Sequence, residues 1–425
     1  MISPARSAAL KALETYRKKG ELTAPRCHRP DDSRLAECIV QGVIQNERFL
    51  DDCLSGFLRG GLSRTHPRIL DILRLSAFQI LFLDRIPDSA AVNDGVQLCR
   101  EGKLSYASGM VNAVLRKVSD RKSALLQNDW DLAIRYSCPD WFVDSLLKEH
   151  DRDFVRAFLE SCQVVPDLRL QVNTLRCSLE QYRELLRSAG VSELGVNERF
   201  SSVLVPACEV ESLPGYAEGL FYVQDDAARA AVKIAGLKSG MSVLDACAAP
   251  GGKSISAALD GGVVLSADLS EKRLIRCEEN YRRMRLNIPV RQMDASAFDS
   301  SLNERFDVVI ADVPCSGTGV IRKHPEIRRR SLEELDRLKE MQRAILENLS
   351  HYVRPGGILI YSTCSVLTEE DEPQVLAFLD RHSEFRLSSV TMEGFRCENG
   401  MLRSWPQENG NDGFFAAKLI RQDTL

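Results

Sequence analysis

The sequence predicts a multidomain protein in which an all-α helical bundle is followed by a small α/β module and then by a doubly wound parallel α/β domain. The chain has 425 residues, which is too long for one ordinary core. Apolar residues recur only at helical spacing as far as Val118, and strands alternate regularly with helices from Ser242 onwards. We expect the three domains to span residues 1–125, 126–222 and 223–425.

The helical bundle is predicted from apolar residues that repeat every three or four positions. These positions form one face of a helix, and the clearest of them are Leu35, Ile39, Val43, Ile69, Ile72, Leu73 and Ile80. Pro87 and Gly102 interrupt the pattern, and a polar stretch at 119–129 indicates the end of the bundle.

The segment from Trp130 to Val223 mixes strand-like and helical runs, and it is interpreted as a small α/β module. Its strand-like runs are Leu168–Val172, Val203–Val205 and Gly219–Val223, and its helical run is Glu180–Ala189.

The alternation in the last domain is regular, which is typical of a parallel sheet that binds its ligand at the carboxyl ends of the strands. The predicted strands are Ser242–Asp245, Val263–Asp268, Val290–Met293, Phe306–Ile310 and Gly357–Tyr361. The predicted helices between them are Lys253–Leu259, Glu271–Met284 and Leu335–Leu349.

The composition is that of a soluble folded protein. Hydrophobic residues make up 44% and charged residues 27% of the chain, near the globular averages. No apolar stretch is long enough to cross a bilayer, and the first twenty residues lack the apolar core of a signal peptide. We therefore expect a cytoplasmic protein that does not bind a membrane.

Charge is distributed unevenly along the chain. Residues 1–122 contain 20 Lys and Arg against 14 Asp and Glu, and subtraction from the totals of 56 and 60 leaves 36 against 46 for the rest. The first part is thus near +6 and the remainder near −10. A basic module suits an anionic partner such as nucleic acid, although scattered surface charge gives the same count.

A glycine-containing loop follows the first strand of the last domain. The run Asp245–Lys253 reads D-A-C-A-A-P-G-G-K, and its glycines permit a tight turn and close approach of a ligand to the backbone. The end of this run resembles a P-loop, but Cys247 stands where a P-loop requires glycine. A cofactor loop is therefore the preferred interpretation over a nucleotide triphosphatase.

Acidic residues close the next two strands. Asp268 is placed to accept hydrogen bonds from ribose hydroxyls of an adenosyl cofactor, and Asp294 is placed to meet its adenine. Either residue alone is better explained as a helix N-cap. Their succession behind a glycine loop favours S-adenosylmethionine as the cofactor.

Two cysteines follow the fourth and fifth strands, in D-V-P-C-S-G-T-G and Y-S-T-C-S-V. Cys315 and Cys364 should therefore approach one crevice. Carbon methylation explains two thiols there, because C5 of cytosine becomes nucleophilic only after a thiolate adds to C6, and a base must later remove the C5 proton. Asp312 is expected to bond the base edge and support charge at N3. The residues alone leave either thiol as the nucleophile.

These motifs together resemble the RNA 5-methylcytosine methyltransferases, in particular their bacterial small-subunit rRNA members. The resemblance covers nearly the whole chain. Arg85–Pro87 and Val111–Arg116 look like the NusB-type RNA-binding domain of those enzymes, and Val172–Arg176 looks like their middle module. The resemblance implies a NusB-like bundle and a Rossmann-like class I methyltransferase domain.

The resemblance also assigns roles to residues. It makes Cys364 the nucleophile, leaves Cys315 to assist product release, and places Asp312 at both the base and the cofactor. The cofactor-binding residues that it implies are Cys247, Ala248, Ala249, Pro250, Gly251, Gly252, Lys253, Asp268, Arg273, Asp294 and Asp312. One departure is Arg328–Arg330, where a bulky residue is expected soon after Glu326.

The expected substrate is 16S rRNA, as naked RNA or an early assembly intermediate, methylated by a monomer that needs no metal. None of the 13 cysteines forms a C-x-x-C pair, so neither a disulfide framework nor a zinc ribbon is indicated. Two alternatives remain open at this point. One is a methyltransferase for tRNA or another RNA, and the other is an RNA-binding assembly or antitermination factor without activity.

Overall fold

The computed structural model describes residues 3–20 and 22–423, and the chain forms two compact units, Met1–Leu159 and Glu160–Leu425. The predicted order of a helical bundle, an α/β module and a doubly wound domain is confirmed. The boundaries proposed from the sequence remain a prediction. No helix among the described residues is long and apolar enough to cross a membrane.

The first unit is helical, and its central helix is α4 (Pro67–Phe82). Nearly every residue of α4 from Ile69 onwards is buried, so the other helices pack around it. Proline in the first turn helps to start α1, α2 and α4, where a missing N–H group costs nothing. The remaining helices are α1 Pro4–Lys19, α2 Pro30–Gln45, α3 Glu47–Ser55, α5 Asp88–Glu101, α6 Ser108–Asp120, α7 Lys122–Gln127, α8 Leu132–Arg135, α9 Asp140–Glu149 and α10 Arg152–Ser161.

The helical region extends further than the sequence analysis predicted. The stretch 132–161, for which no secondary structure was predicted within the α/β module, forms α8 to α10. In α9 the buried residues Phe142, Val143 and Leu146 lie on one face, and α10 buries Val155 and Phe158 in the same manner. The first strand of the chain begins only at Leu168.

A four-stranded antiparallel sheet opens the second unit, in the order β2-β3-β1-β4. Helix α11 (Leu179–Ser188) begins with a capping box in which Ser178 and Gln181 each bond the other's backbone N–H. The strands are β1 Leu168–Val172, β2 Gly195–Asn197, β3 Ser202–Val205 and β4 Phe221–Val223. The short strand β2 was not predicted.

A nine-stranded mixed sheet forms the rest of the second unit, in the order β11-β12-β13-β9-β8-β5-β6-β7, with β10 paired to β13. Its strands are β5 Ser242–Asp245, β6 Val263–Asp268, β7 Val290–Gln292, β8 Phe306–Asp312, β9 Val353–Thr363, β10 Phe385–Leu387, β11 Arg396–Glu398, β12 Met401–Ser404 and β13 Phe414–Arg421. Its helices are α12 Asp226–Lys233, α13 Gly252–Leu259, α14 Glu271–Met284, α15 Leu332–Ser350, α16 Glu372–Leu379 and α17 Pro406–Asn409.

The five predicted strands form the parallel part of this sheet. The chain runs from β5 outwards to β6 and β7, and then returns to the other side of β5 with β8 and β9. The order reverses beside β5, which is where doubly wound sheets bind their ligands. Strand β13 then pairs with β9 in the antiparallel direction.

Candidate active site

The loop after β5 is shaped by backbone hydrogen bonds and by one glycine. The N–H of Ala248 donates to the carbonyl of Ala267 at 2.8 Å, and that of Gly251 donates to Ala248 at 2.7 Å. Gly251 has a φ of +102°, and a Cβ there would lie 2.8 Å from the ring of Tyr281. Only glycine therefore fits at the turn that leads into α13.

Asp245 ends β5 and lies fully buried behind this loop. The hydroxyl of Ser254 donates to its Oδ2 at 2.7 Å, whereas Oδ1 has no hydrogen-bond partner among the described residues. Burial raises the pKa of Asp245 to about 7. A buried acceptor without a donor suits a ligand at this strand end. Asp245 is the first residue of the D-A-C-A-A-P-G-G-K motif, but no role was predicted for it.

Asp268 and Arg273 brace the same loop. Asp268 accepts hydrogen bonds from the N–H groups of Ala249 at 3.2 Å and Ser270 at 3.0 Å. Arg273 donates to the carbonyl of Ala249 at 2.7 Å and lies 3.5 Å from Asp268. The structure thus brings these predicted cofactor residues together at the ends of neighbouring strands.

Asp294 lies beyond the end of β7 and is exposed. It accepts hydrogen bonds from the hydroxyl of Ser296 at 2.7 Å and from its N–H at 2.9 Å, and these bonds lower the pKa of Asp294. A turn of this kind gives Asp294 a local structural role, comparable to that of the helix N-cap considered as the alternative. A role at the adenine stays a prediction.

Lys253 and Asp312 form an ion pair at the switch point of the sheet. The Lys253 ammonium lies 2.6 Å from Asp312 Oδ2, and the hydroxyl of Ser362 donates to Oδ1 at 2.8 Å. Burial lowers the pKa of Lys253, but the negative groups around it, above all Asp312 and then Asp245, together hold that pKa above its usual value. The ammonium also lies 5.2 Å from the centre of the Phe414 ring.

The two predicted thiols meet beside this ion pair. Strands β8 and β9 are adjacent, with Asp312 opposite Ser362, and the loops that follow bring Cys315 Sγ within 3.2 Å of Cys364 Sγ. The hydrogen bond to Cys364 and burial raise the pKa of Cys315 well above its usual value. Cys315 therefore holds its proton more tightly than an ordinary thiol, and either sulfur can donate in the contact with Cys364.

A buried carboxylate holds the loop that carries Cys315. Glu370 accepts hydrogen bonds from both the N–H and the hydroxyl of Ser316, and from Gln342 Nε2 at 2.8 Å. Gln342 also donates to the carbonyl of Pro314 at 3.0 Å. Glu370 and Gln342 were not predicted, because the groups that they bond lie at distant positions of the chain.

Two glycines bring the end of the chain against the thiol loops. A Cβ on Gly319 would lie 2.0 Å from the carbonyl oxygen of Gly413. Gly319 donates its N–H to the carbonyl of Cys364 at 2.9 Å, and Gly413 donates to the carbonyl of Gly319 at 2.9 Å. The segment before β13 is thereby fixed directly beside the two cysteines.

Most of the basic residues that follow Gly319 form ion pairs or hydrogen bonds within the fold. Arg322 Nη2 lies 3.1 Å from Asp412 Oδ1, and Lys323 donates to Asp412 Oδ2. Arg328 is buried and donates to the carbonyls of Ile321 and Cys162. Arg328, which is one of the three arginines that depart from the family pattern, therefore stabilises the fold. Among the described residues, no group of three or more His, Cys, Asp or Glu is arranged to hold a metal ion.

Three families match this chain in succession. Residues 3–120 match the NusB family, residues 138–197 match the ferredoxin-like domain of RsmF/B-like methyltransferases, and residues 233–420 match the family described as 16S rRNA methyltransferase RsmB/F. The order agrees with the predicted bundle, middle module and catalytic domain.

Relatives match over almost the full length. The chain is 31% identical to ribosomal RNA small subunit methyltransferase B of Serratia proteamaculans, over 92% of this chain and 91% of that protein. It is 34% identical to the protein of the same name from Yersinia pseudotuberculosis, with the same coverage. The crystal structure of PH0851 has a TM-score of 0.81 at 24% identity, covers 99% of both chains, and is similar in fold.

Proposed function

We propose that this chain, which belongs to the 16S rRNA methyltransferase RsmB/F family, methylates the C5 carbon of a cytosine through a covalent bond between Cys364 and C6 of the base. As a member of that family the protein is an rRNA methyltransferase, and its cofactor is S-adenosylmethionine. The observation that supports the C5 chemistry is the 3.2 Å approach of Cys315 and Cys364 beside the ion pair of Lys253 and Asp312.

The strand ends around β5 fit an adenosyl cofactor. The unpartnered Oδ1 of Asp245 and the close-packed turn at Gly251 are features that a ligand at this edge would use. We assign its binding to the loop Cys247–Lys253 and to Asp268, Arg273 and Asp294. When bound, S-adenosylmethionine supplies a methyl group on a positively charged sulfur, which a carbon nucleophile can attack.

Cys364 starts the reaction by adding to C6 of the cytosine as a thiolate. The addition makes C5 nucleophilic and places negative charge on the ring near N3. Asp312 accepts a hydrogen bond from the base edge, and the ammonium of Lys253, held 2.6 Å from Asp312, offsets the charge on the ring.

Cys315 serves the release of the product. After methylation C5 carries both a methyl group and a proton, so the proton must leave before the ring can recover its double bond. The thiol proton of Cys315 passes to the departing sulfur of Cys364 as the bond from that sulfur to C6 breaks. The Cys315 thiolate left by this transfer takes the proton from C5, and Cys364 then loses its proton to solvent and returns to the thiolate form, so that one proton is released per turnover. The 3.2 Å distance between the sulfurs supports this transfer.

Two substitutions test the roles of the thiols. Cys364→Ala is expected to abolish transfer of a radiolabelled methyl group to small-subunit rRNA, while calorimetry still detects binding of S-adenosylmethionine. Cys315→Ala is expected to accumulate a protein–RNA complex that survives a denaturing gel, and the double variant should form none. Cys208→Ala, which removes an exposed thiol, is the matched control and should stay active. Turnover by Cys364→Ala, or a stable complex in the double variant, would refute the proposal.

The substrate nucleotide is identified by bisulfite sequencing of total RNA from cells with and without the gene. We expect one cytosine of 16S rRNA to lose its protection in the deleted strain, whereas a lost tRNA site would favour the alternative RNA substrate. We further propose that the protein acts in the cytoplasm as a monomer, without a metal, on naked or early-assembly rRNA. Unchanged protection throughout the RNA would refute methylation at C5 of cytosine.

A further inference from the structure

A basic cleft of about 600 Å³ lies in the helical unit, away from the thiols in sequence and outside the role assigned to them. We call it the Tyr106 cleft. It lies between the turn that follows α3 and the segment that contains α6, and its base is formed by Leu58, Ile69 and Val114. The volume is within the range of pockets that hold small organic groups.

The rim of the Tyr106 cleft is positively charged. Neither of the two segments that form it, residues 56–70 and 102–119, contains an Asp or a Glu. Arg59, Arg64 and Lys117 line the cleft and are exposed, and none of them has a carboxylate partner among the described residues. Arg68 belongs to the first segment but is engaged with Glu14 at 2.7 Å. The rim thus keeps uncompensated charge, which attracts a polyanion.

The cleft also presents an aromatic ring to solvent. Tyr106 is 76% exposed and Met110 is 37% exposed, beside the partly buried ring of Phe57. An exposed tyrosine between unpaired cations is the arrangement on which single-stranded RNA stacks its bases, because every base has a face that an aromatic ring can cover.

We propose that the Tyr106 cleft binds an unpaired segment of the rRNA substrate, with a base on the Tyr106 ring and phosphates on Arg59, Arg64 and Lys117. This site would hold the RNA and take no part in the methylation chemistry. It rests on the proposed function only because rRNA is taken to be the substrate. The cleft anchors the RNA through the helical unit, so the site at Cys364 need not select one cytosine unaided.

The charge contribution is tested by filter binding of full-length protein to a small-subunit rRNA transcript at several salt concentrations. S-adenosylhomocysteine is added so that no methyl group is transferred. Arg59→Ala/Arg64→Ala/Lys117→Ala should weaken binding and make the log-log salt slope shallower by about 2, since three phosphate contacts are lost. The control Lys11→Ala/Lys18→Ala/Lys19→Ala removes the same charge from exposed positions of α1. Equal losses in both variants would overturn the proposal.

The stacking contribution is tested by Tyr106→Ala and Tyr106→Phe in the same assay at high salt. Loss of the ring should weaken binding about 5- to 100-fold, whereas Phe should retain it. Wild-type affinity in Tyr106→Ala would overturn the proposal and leave an acidic protein as the better occupant. This test does not depend on the methylation chemistry. Tyr106→Ala should raise KM for RNA and leave kcat unchanged. If instead the Cys364 assignment is wrong, the RNA affinities of the Tyr106 and rim variants are unaffected.

Discussion

The ammonium of Lys253 lies 2.6 Å from Asp312 Oδ2, and this contact joins the cofactor loop to the strand that leads to the first thiol. Ser362 bonds the other oxygen of Asp312, so the strand that leads to the second thiol is attached as well. One carboxylate therefore joins the three segments that the proposed reaction uses. We expect a change in the loop Asp245–Lys253 to alter the position of Asp312, on the proposed base-binding side of the site.

Removing the Lys253 charge should impair catalysis more than folding. Lys253→Met leaves Asp312 without its cation, and the loss of a charge-assisted bond of about 1.5 to 3 kcal/mol should lower kcat about 10- to 100-fold. Lys233→Met is the matched control, because Lys233, the last residue of α12, forms a 2.7 Å ion pair with Asp260. Steady-state methyl transfer at saturating RNA and S-adenosylmethionine measures kcat for both variants. Equal losses in the two variants would exclude a specific role for Lys253.

Loss of the Asp268 carboxylate should weaken cofactor binding. Asp268→Ala removes the proposed acceptor for the ribose hydroxyls, and calorimetry should find S-adenosylmethionine bound more weakly by about 1.5 to 3 kcal/mol. RNA affinity should barely change. Asp299→Ala is the control, because Asp299 caps a short helix in the same domain. Unaltered cofactor affinity in Asp268→Ala would mean that this carboxylate only braces the loop.

Glu370 should act as a positioning residue for Cys315. Glu370→Gln replaces one of two accepting oxygens with a donor, so the hydroxyl of Ser316 can no longer donate to that atom and must turn towards Thr318 or Ser365. We expect slower product release and a covalent protein–RNA complex on a denaturing gel, even though Cys315 is intact. A variant that loses only thermal stability, with no trapped complex, would assign Glu370 a purely structural role.

Asp245 should make stability depend on pH. Its pKa is about 7 in the folded protein, above the unfolded value, so its stabilising contribution is present at low pH and is lost as pH rises through 7. Asp245→Asn removes this dependence. Urea unfolding of both proteins between pH 4 and pH 8 should yield a difference in stability that grows with pH, by no more than about 4 kcal/mol. Parallel curves would contradict the assignment.

Much of the catalytic domain could be predicted because its signals are local. Strand β5 and helix α14 have the bounds that the sequence predicted, since alternating apolar runs and capping residues determine them without distant partners. The meeting of Cys315 and Cys364 was also predicted, because parallel strands that follow each other place their carboxyl ends at one edge of a sheet. Which thiol attacks stays a prediction.

Other features depend on contacts between distant residues. Glu370 and Ser316 are 54 positions apart, so nothing near either residue indicates their bond. The short strands β10 to β12 and the longer β13 form through pairing with each other and with β9, and a local pattern does not specify such partners. The ion pair between Arg322 and Asp412 could not be predicted either, because these residues are also far apart in the sequence.

The position of β13 has a consequence for how the enzyme is made. Thr363, at the end of β9, pairs with Phe415, and Gly413 rests against Gly319, yet β13 is synthesised after the other strands of the sheet. Until it leaves the ribosome, a nascent chain carries β9 as an unpaired sheet edge, which is prone to associate with other chains. The two thiols therefore gain their final surroundings only at the end of translation, and premature termination before Phe414 leaves a product in which β9 has no β13 partner and Lys253 has no Phe414 ring beside it.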